Sequence, residues 1–198
     1  MTTTLFTNAH IATGEPGSTA ASTLPLQDIL VTDGVFTAFG PGLAQQYEAQ
    51  GGDLAAIEVV DLGGKLVCPP FCDTHLHLDY VFTARKPGAV NESGTLFEGI
   101  QRWSETKSDL TVDEIKQRAK IGIKKEMLHG VQLIRSHADV TDPNLTSLKA
   151  LLELKEELKD TVTLQIVSFP QEGMYSYESP HGESGAELVE EGLKMGAD

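Results

Sequence analysis

The chain is poor in basic residues, in cysteine and in long apolar runs, and each shortage removes a class of function. Lys and Arg number 15 against 29 Asp and Glu, a formal net charge of −14, and no Lys/Arg cluster compensates locally. Such a surface repels polyanions, so binding to nucleic acid or to an anionic membrane is disfavoured. The only cysteines are Cys68 and Cys72, spaced C-x3-C without a second pair. That excludes a disulfide framework and leaves two readings for them, small core residues or a metal role. The amino terminus, Met1-Thr2-Thr3-Thr4-Leu5-Phe6-Thr7, has neither a basic start nor an apolar core of signal-peptide length. No apolar stretch is long enough to cross a bilayer, and a cytoplasmic protein is the expectation.

What is present is a globular composition, 40% hydrophobic and 22% charged over 198 residues, enough for one ordinary domain or for part of something larger. Residues 1–65 read as short strands and turns, a small β module. Thr4–Ile11, Asp28–Val31, Val35–Phe39 and Ile57–Leu62 carry the apolar residues, and Asp33-Gly34 and Gly63-Gly64 mark turns. The stretch Gly40–Gly52 reads equally as a loop or a short helix.

From residue 66 to 198 strands alternate with helices, which argues for an α/β fold built of βα units around a parallel sheet. The first strand runs from Leu66 to about His75, and a helix covers Leu96–Trp103. Thr111 with Glu114 three residues on predicts a capping box, followed by an apolar stripe of Ile115, Ala119, Ile123 and Met127 and a stop at Gly130. The second strand is Val131–His137, leading into Ala138-Asp139-Val140. Asn144 is expected to open a helix with its stripe on Leu148, Leu151, Leu152 and Leu158. The third strand, Val162–Phe169, breaks at Pro170, and a last helix spans Ser184–Met195 before Gly196.

The chemistry concentrates at His75-Leu76-His77-Leu78-Asp79. In an extended strand, residues two apart share a face, so both imidazoles can approach one metal ion from one side. With six His in the chain, such a pair arises by chance in roughly one sequence in six, so the tripeptide is weak alone. Its position adds weight, because ligands of α/β folds bind where the loops leave the carboxyl ends of parallel strands. His137 and Asp139 end the second strand, and Gln171 and Glu172 follow the third. Three strands thus deliver polar residues to one edge.

An H-x-H-x-D at the end of a first barrel strand, after an N-terminal β module, resembles the amidohydrolase superfamily of metal-dependent hydrolases. The runs Ser93–Ile100, Arg135–Val140 and Phe169-Pro170-Gln171-Glu172-Gly173 are similar to its bacterial cytosine deaminase branch. The resemblance implies the N-terminal part of a (β/α)8 TIM barrel, about three βα units, preceded by part of a composite β-sandwich whose other strands come from the C-terminus. It implies one divalent metal ion, Fe2+ or Zn2+, with His75 and His77 as two of its ligands. Gln171 would hydrogen-bond the pyrimidine edge of cytosine, and Leu96 and Phe169 would line the pocket. The neutral imidazole suits either metal, and an amide supplies both a donor and an acceptor.

His137 and Asp139 are read as residues that orient a ligand histidine or fix a loop. Asp79 is expected to hold a loop, by hydrogen bonds or by pairing with Arg85, or else to take part in catalysis. Glu172 is a pocket residue or a loop anchor, Trp103 packs a helix on the sheet, and His10, His129 and His181 lie at the surface or at helix ends. Two imidazoles do not complete a catalytic metal site. The resemblance places a further His, a Glu, another His and an Asp on later strands, so the chain is expected to be a truncated piece of a longer protein. An open sheet edge then implies pairing, as a homo-oligomer or with a complementing C-terminal half.

Overall fold

The structure, a computed structural model, describes residues 2–12, 24–142 and 144–198. It divides into two compact units, Met1–Pro69 and Pro70–Asp198.

In the first unit β1 (Thr3–Ile11), β2 (Leu26–Thr32), β3 (Val35–Gly40), α1 (Leu43–Ala49), β4 (Glu58–Asp61) and β5 (Leu66–Val67) follow one another. The β2–β3 hairpin closes on Asp33-Gly34, with φ of 49° and 79°, the paired positive values that a tight two-residue turn needs. β1 is central, with β2 antiparallel on one side and β4 and β5 parallel on the other. Among the described residues this is a single five-stranded sheet, and no second layer of the expected partial sandwich is seen among them. Every strand is spent edge to edge in one layer, and α1 packs on β1, β2 and β3. Asp28 ties the layer together: its carboxylate accepts the Asn8 N–H at 3.2 Å and the Leu43 N–H at 2.9 Å.

The segment read as one strand from Leu66 to His75 is two. Leu66–Val67 pairs with β1, whereas Phe71–Leu76 opens the second sheet as β6. Pro69 and Pro70 have no N–H to donate and stop the first ladder. The boundary between units therefore falls after Pro69 rather than after residue 65. Cys68 and Cys72 flank this break as free, exposed thiols, so neither packs in a core.

The second unit alternates regularly: β6, α2 (Leu96–Lys107), α3 (Val112–Leu128), β7 (Val131–Asp139), α4 (Thr146–Glu157), β8 (Thr163–Phe169) and α5 (Gly185–Met195). Its sheet is parallel, in the order β6-β7-β8. Ile134 on β7, Ile166 on β8, Ile115 and Ala119 on α3, and Leu148, Leu151 and Leu154 on α4 are all fully buried in one cluster. The predicted stripes face that cluster, and the boxes Thr111/Glu114 and Ser184/Glu187 both form.

α4 starts differently from the expectation. Its first turn is held by Asp142, whose carboxylate accepts the N–H groups of Asn144 and Thr146, while Leu145 takes a left-handed φ of 50°. At Gly192 an ideal Cβ would fall 2.4 Å from Ser168 Oγ, so a residue without a side chain lets α5 close on β8. Among the described residues no helix is long and apolar enough to cross a membrane.

Candidate metal centre and cleft

The three parallel strands end at one edge, registered by Leu76 opposite Ser136 and by Asp139 opposite Phe169. His75 lies in β6 and His77 one residue past it. With His137 of β7 they form a cluster of rings, with centroids 5.2 Å apart for His75–His77, 4.3 Å for His75–His137 and 5.6 Å for His77–His137. Two imidazoles around one tetrahedral ion, with metal–nitrogen distances near 2 Å, stand with centroids about 5 Å apart. The His75–His77 pair has that spacing. His137 instead stacks on His75 at an interplanar angle of 25°, which turns its lone pairs away from a point shared with His75. Among the described residues no group of three or more His, Cys, Asp or Glu is placed to hold an ion.

His77 is oriented by its backbone surroundings. Its Nδ1–H donates to the His137 carbonyl at 3.2 Å, and since a carbonyl only accepts, Nε2 keeps a bare lone pair. This is how imidazoles that bind metals are commonly held. Burial is the main reason the ring's pKa is pushed down to about 4, helped by His137 and His75, so the ring is neutral near pH 7. His137 is also shifted down, by burial first and then by His75, and its Nδ1 is buried without a partner.

Beneath the rings lies a buried polar network. Asp79 is fully buried and accepts the N–H groups of Asp139 at 2.9 Å and Tyr80 at 3.1 Å. Burial raises its pKa to about 7, with the Asp139 charge adding to the rise. The anticipated partner side chain, that of Arg85, lies outside the described residues. Asp139, also fully buried, accepts from Trp103 Nε1 at 2.7 Å, Lys107 Nζ at 3.1 Å and the Thr141 hydroxyl at 2.6 Å. Glu172 turns inward to Lys107 Nζ at 2.5 Å and the Ser104 hydroxyl at 2.7 Å, so it fixes its loop.

Beside the rings opens a cleft of about 720 Å³, lined by His77, Tyr80, Leu96, Trp103, Phe169 and Gln171 among others. The sequence-predicted Leu96, Phe169 and Gln171 thus share one wall system with His77, although Leu96 stays 74% exposed. His75 stands outside that lining. Tyr80, which the sequence reading passed over, stacks on His77 with centroids 4.7 Å apart. Lys107 was missed as well; the available signal was its place four residues after Trp103, on the same helix face. His129 caps α3 as expected, its Nδ1 bonded to the Lys125 carbonyl, whereas His10 is half-buried in β1 with an unpartnered Nδ1.

Paired imidazoles stand at the carboxyl edge of a parallel α/β sheet beside a cleft, an arrangement suited to a metal-dependent hydrolase. Residues 58–193 match the Amidohydrolase family, and the chain belongs to it. Members of that family are metal-dependent. The chain is 34% identical to N-isopropylammelide isopropyl amidohydrolase of Pseudomonas sp. (strain ADP) over 70% of its own length and 34% of the relative's. It is 27% identical to pterin deaminase of Rhizobium rhizogenes over 74% of its length and 32% of that protein. The crystal structure of 5-methylcytosine deaminase from Klebsiella pneumoniae, liganded with 5-fluorocytosine, superposes with a TM-score of 0.78 at 37% identity. It covers 98% of this chain and 42% of that one, which is consistent with a cytosine-deaminase-like branch. The chain spans about a third of the length of the two curated relatives.

Proposed function

We propose that the protein is a hydrolytic deaminase of cytosine or of a closely related pyrimidine or triazine, with residues 70–198 forming the first part of a (β/α)8 barrel. The observation that carries the reading is convergence: Leu96 from α2, Phe169 and Gln171 from the end of β8 and His77 from the end of β6 line one cleft. The overall reaction converts cytosine and water to uracil and ammonia. Gln171 presents an amide, whose paired acceptor and donor match the mixed edge of a pyrimidine. Phe169 supplies an apolar wall and meets the His77 ring edge-on at 5.6 Å. His75 and His77 would hold the divalent ion, Fe2+ or Zn2+, and His137 fixes the His77 tautomer through its carbonyl. Once bound, such an ion would bring the pKa of water to near 7.

The test is a metal titration and a cytosine assay on the complete protein. Absorbance should fall as cytosine is consumed only in metal-loaded samples, and His77→Ala should remove both metal binding and turnover. A metal-loaded protein that leaves cytosine and its analogues untouched would sink the proposal. A second reading, removal of a different substituent from a triazine ring, is favoured by the isopropyl amidohydrolase relative. Product analysis separates the two, because a deaminase releases ammonia and an N-dealkylating hydrolase releases an alkylamine.

A further inference from the structure

The Lys107 ammonium is a buried cation in the network beneath the rings, and the segments that end β7 and β8 meet on it. Its side chain is 9% exposed. It donates to Asp139 Oδ2 at 3.1 Å and Thr141 Oγ1 at 3.0 Å, both after the body of β7, and to Glu172 Oε1 at 2.5 Å in the loop after β8. Through Asp139 the link extends to the β6 end, because the Asp139 N–H donates to Asp79. The Tyr177 ring lies 5.8 Å from the ammonium.

Taking an ammonium and two carboxylates out of water is costly, and an apolar cluster of the same volume would serve packing as well or better. What an apolar cluster lacks is direction. Here the bonds to Asp139 and Glu172 reach two residues of the cleft, Trp103 and Gln171. Trp103, one turn before Lys107 on α2, lines the cleft and gives its indole N–H to the same Asp139 oxygen at 2.7 Å. Gln171 is held on both sides: its N–H points at Asp139 Oδ1 at 3.4 Å, and the next side chain, Glu172, is tied to α2 through Lys107 and Ser104.

We infer that Lys107, with Asp139 and Glu172, is a positioning clamp that sets Gln171 and Trp103 at the spacing a heterocyclic base requires. The clamp touches no substrate and acts through those two residues. In its role toward the base this rests on the deaminase reading above. An error of about 1 Å in such a placement can cost on the order of a hundredfold in rate or selectivity.

Trp103 is the single tryptophan of the chain, so its fluorescence reads the clamp without any substrate. In the 198-residue chain, Lys107→Met should raise the acrylamide quenching constant of Trp103 about threefold as a bond to Asp139 loses its counter-charge. Lys107→Arg should restore most of it, and Lys116→Met, which breaks the exposed pairing with Glu153 and Glu157, should leave it unchanged. In the complete protein Lys107→Met should lift the KM for cytosine about tenfold with kcat within about threefold. If Lys107→Met fails to fold, Glu172→Gln takes its place with the same readouts. Unchanged quenching overturns the clamp, and so does a fall in kcat at fixed KM. If the parent protein does not turn cytosine over, the deaminase reading falls while quenching still decides the clamp.

Discussion

The two units of the chain are held together by different forces. In the N-terminal sheet the fully or nearly buried apolar residues are Leu5, Ala9, Ile29 and Leu43, while Val35, Phe36 and Phe39 on β3 are all more than half exposed. Its order comes from strand ladders and from carboxylates that collect backbone N–H groups, Asp28 above all. The parallel unit has instead a continuous apolar cluster in which β7 and β8 are sandwiched with α3 and α4. A rigid core lets three strand ends carry a polar network without collapsing onto it, and that is where the imidazoles and the cleft stand. Chemistry sits on the unit whose stability does not depend on the polar groups doing it.

The sharpest way to break this contrast is a pair of truncations. Leu151→Ala on α4 removes a fully buried side chain and should cost about 3 to 4 kcal/mol, since the dense surroundings collapse only partly around the cavity. Phe36→Ala, at a site 62% exposed, should cost within about 0.5 kcal/mol. Urea denaturation followed by far-UV circular dichroism measures both, and equal losses would erase the distinction.

Next in size is Asp28→Ala in the sheet unit. It strands the buried Leu43 N–H and the Asn8 N–H, so about 2 kcal/mol is expected. Amide exchange should speed up at Leu43 and Asn8 while the β7 amides stay protected; slowed or unchanged exchange at Leu43 would contradict the polar account of that unit. Thr111→Ala in the parallel unit should cost about 1 kcal/mol by removing the hydroxyl that accepts the Glu114 N–H. Urea denaturation measures the loss, and no change on Thr111→Ala would mean that the box contributes nothing to α3.

What could be read from the sequence follows the range of the forces. The capping box at Thr111, the helix start at Ser184, the Asp33-Gly34 turn and the stripes of α3 and α4 depend on residues a few positions apart, and all form. The first barrel strand was drawn too long because an apolar run hides which sheet its halves join; only the missing N–H groups of Pro69 and Pro70 mark the break. The structure does not test the composite sandwich, since the resemblance assigns its other strands to the C-terminus. At the site, the shared edge of His77, His137, Asp139 and Gln171 was legible from their places at the carboxyl ends of successive strands, while Phe169 came from the family resemblance. Lys107 offered only its place four residues after Trp103: its partners lie 32, 34 and 65 residues away in sequence, and a lysine at the end of a helix otherwise reads as solvent-exposed.

The smallest effect tests whether polar anchoring is confined to the sheet unit or also shapes the cleft wall. Before α2, the Glu98 carboxylate accepts the N–H groups of Glu92 at 3.1 Å and Ser93 at 2.6 Å, and Arg102 pairs with it at 3.3 Å. These bonds, Ser93's foremost, lower the Glu98 pKa from 4.5 to about 2. A depressed carboxyl binds fewer protons folded than unfolded, so its contribution is complete above pH 4.5 and is lost as pH falls through about 2. NMR titration of the Glu92 and Ser93 amides should therefore show a midpoint near 2, and Glu98→Gln should abolish the transition with little change in the rest of the unit. A midpoint at 4.5 would mean that the turn carrying Asn91, Gly94 and Leu96 to the cleft is not anchored by this carboxylate. The wall opposite Gln171 would then owe its shape to α2 packing alone.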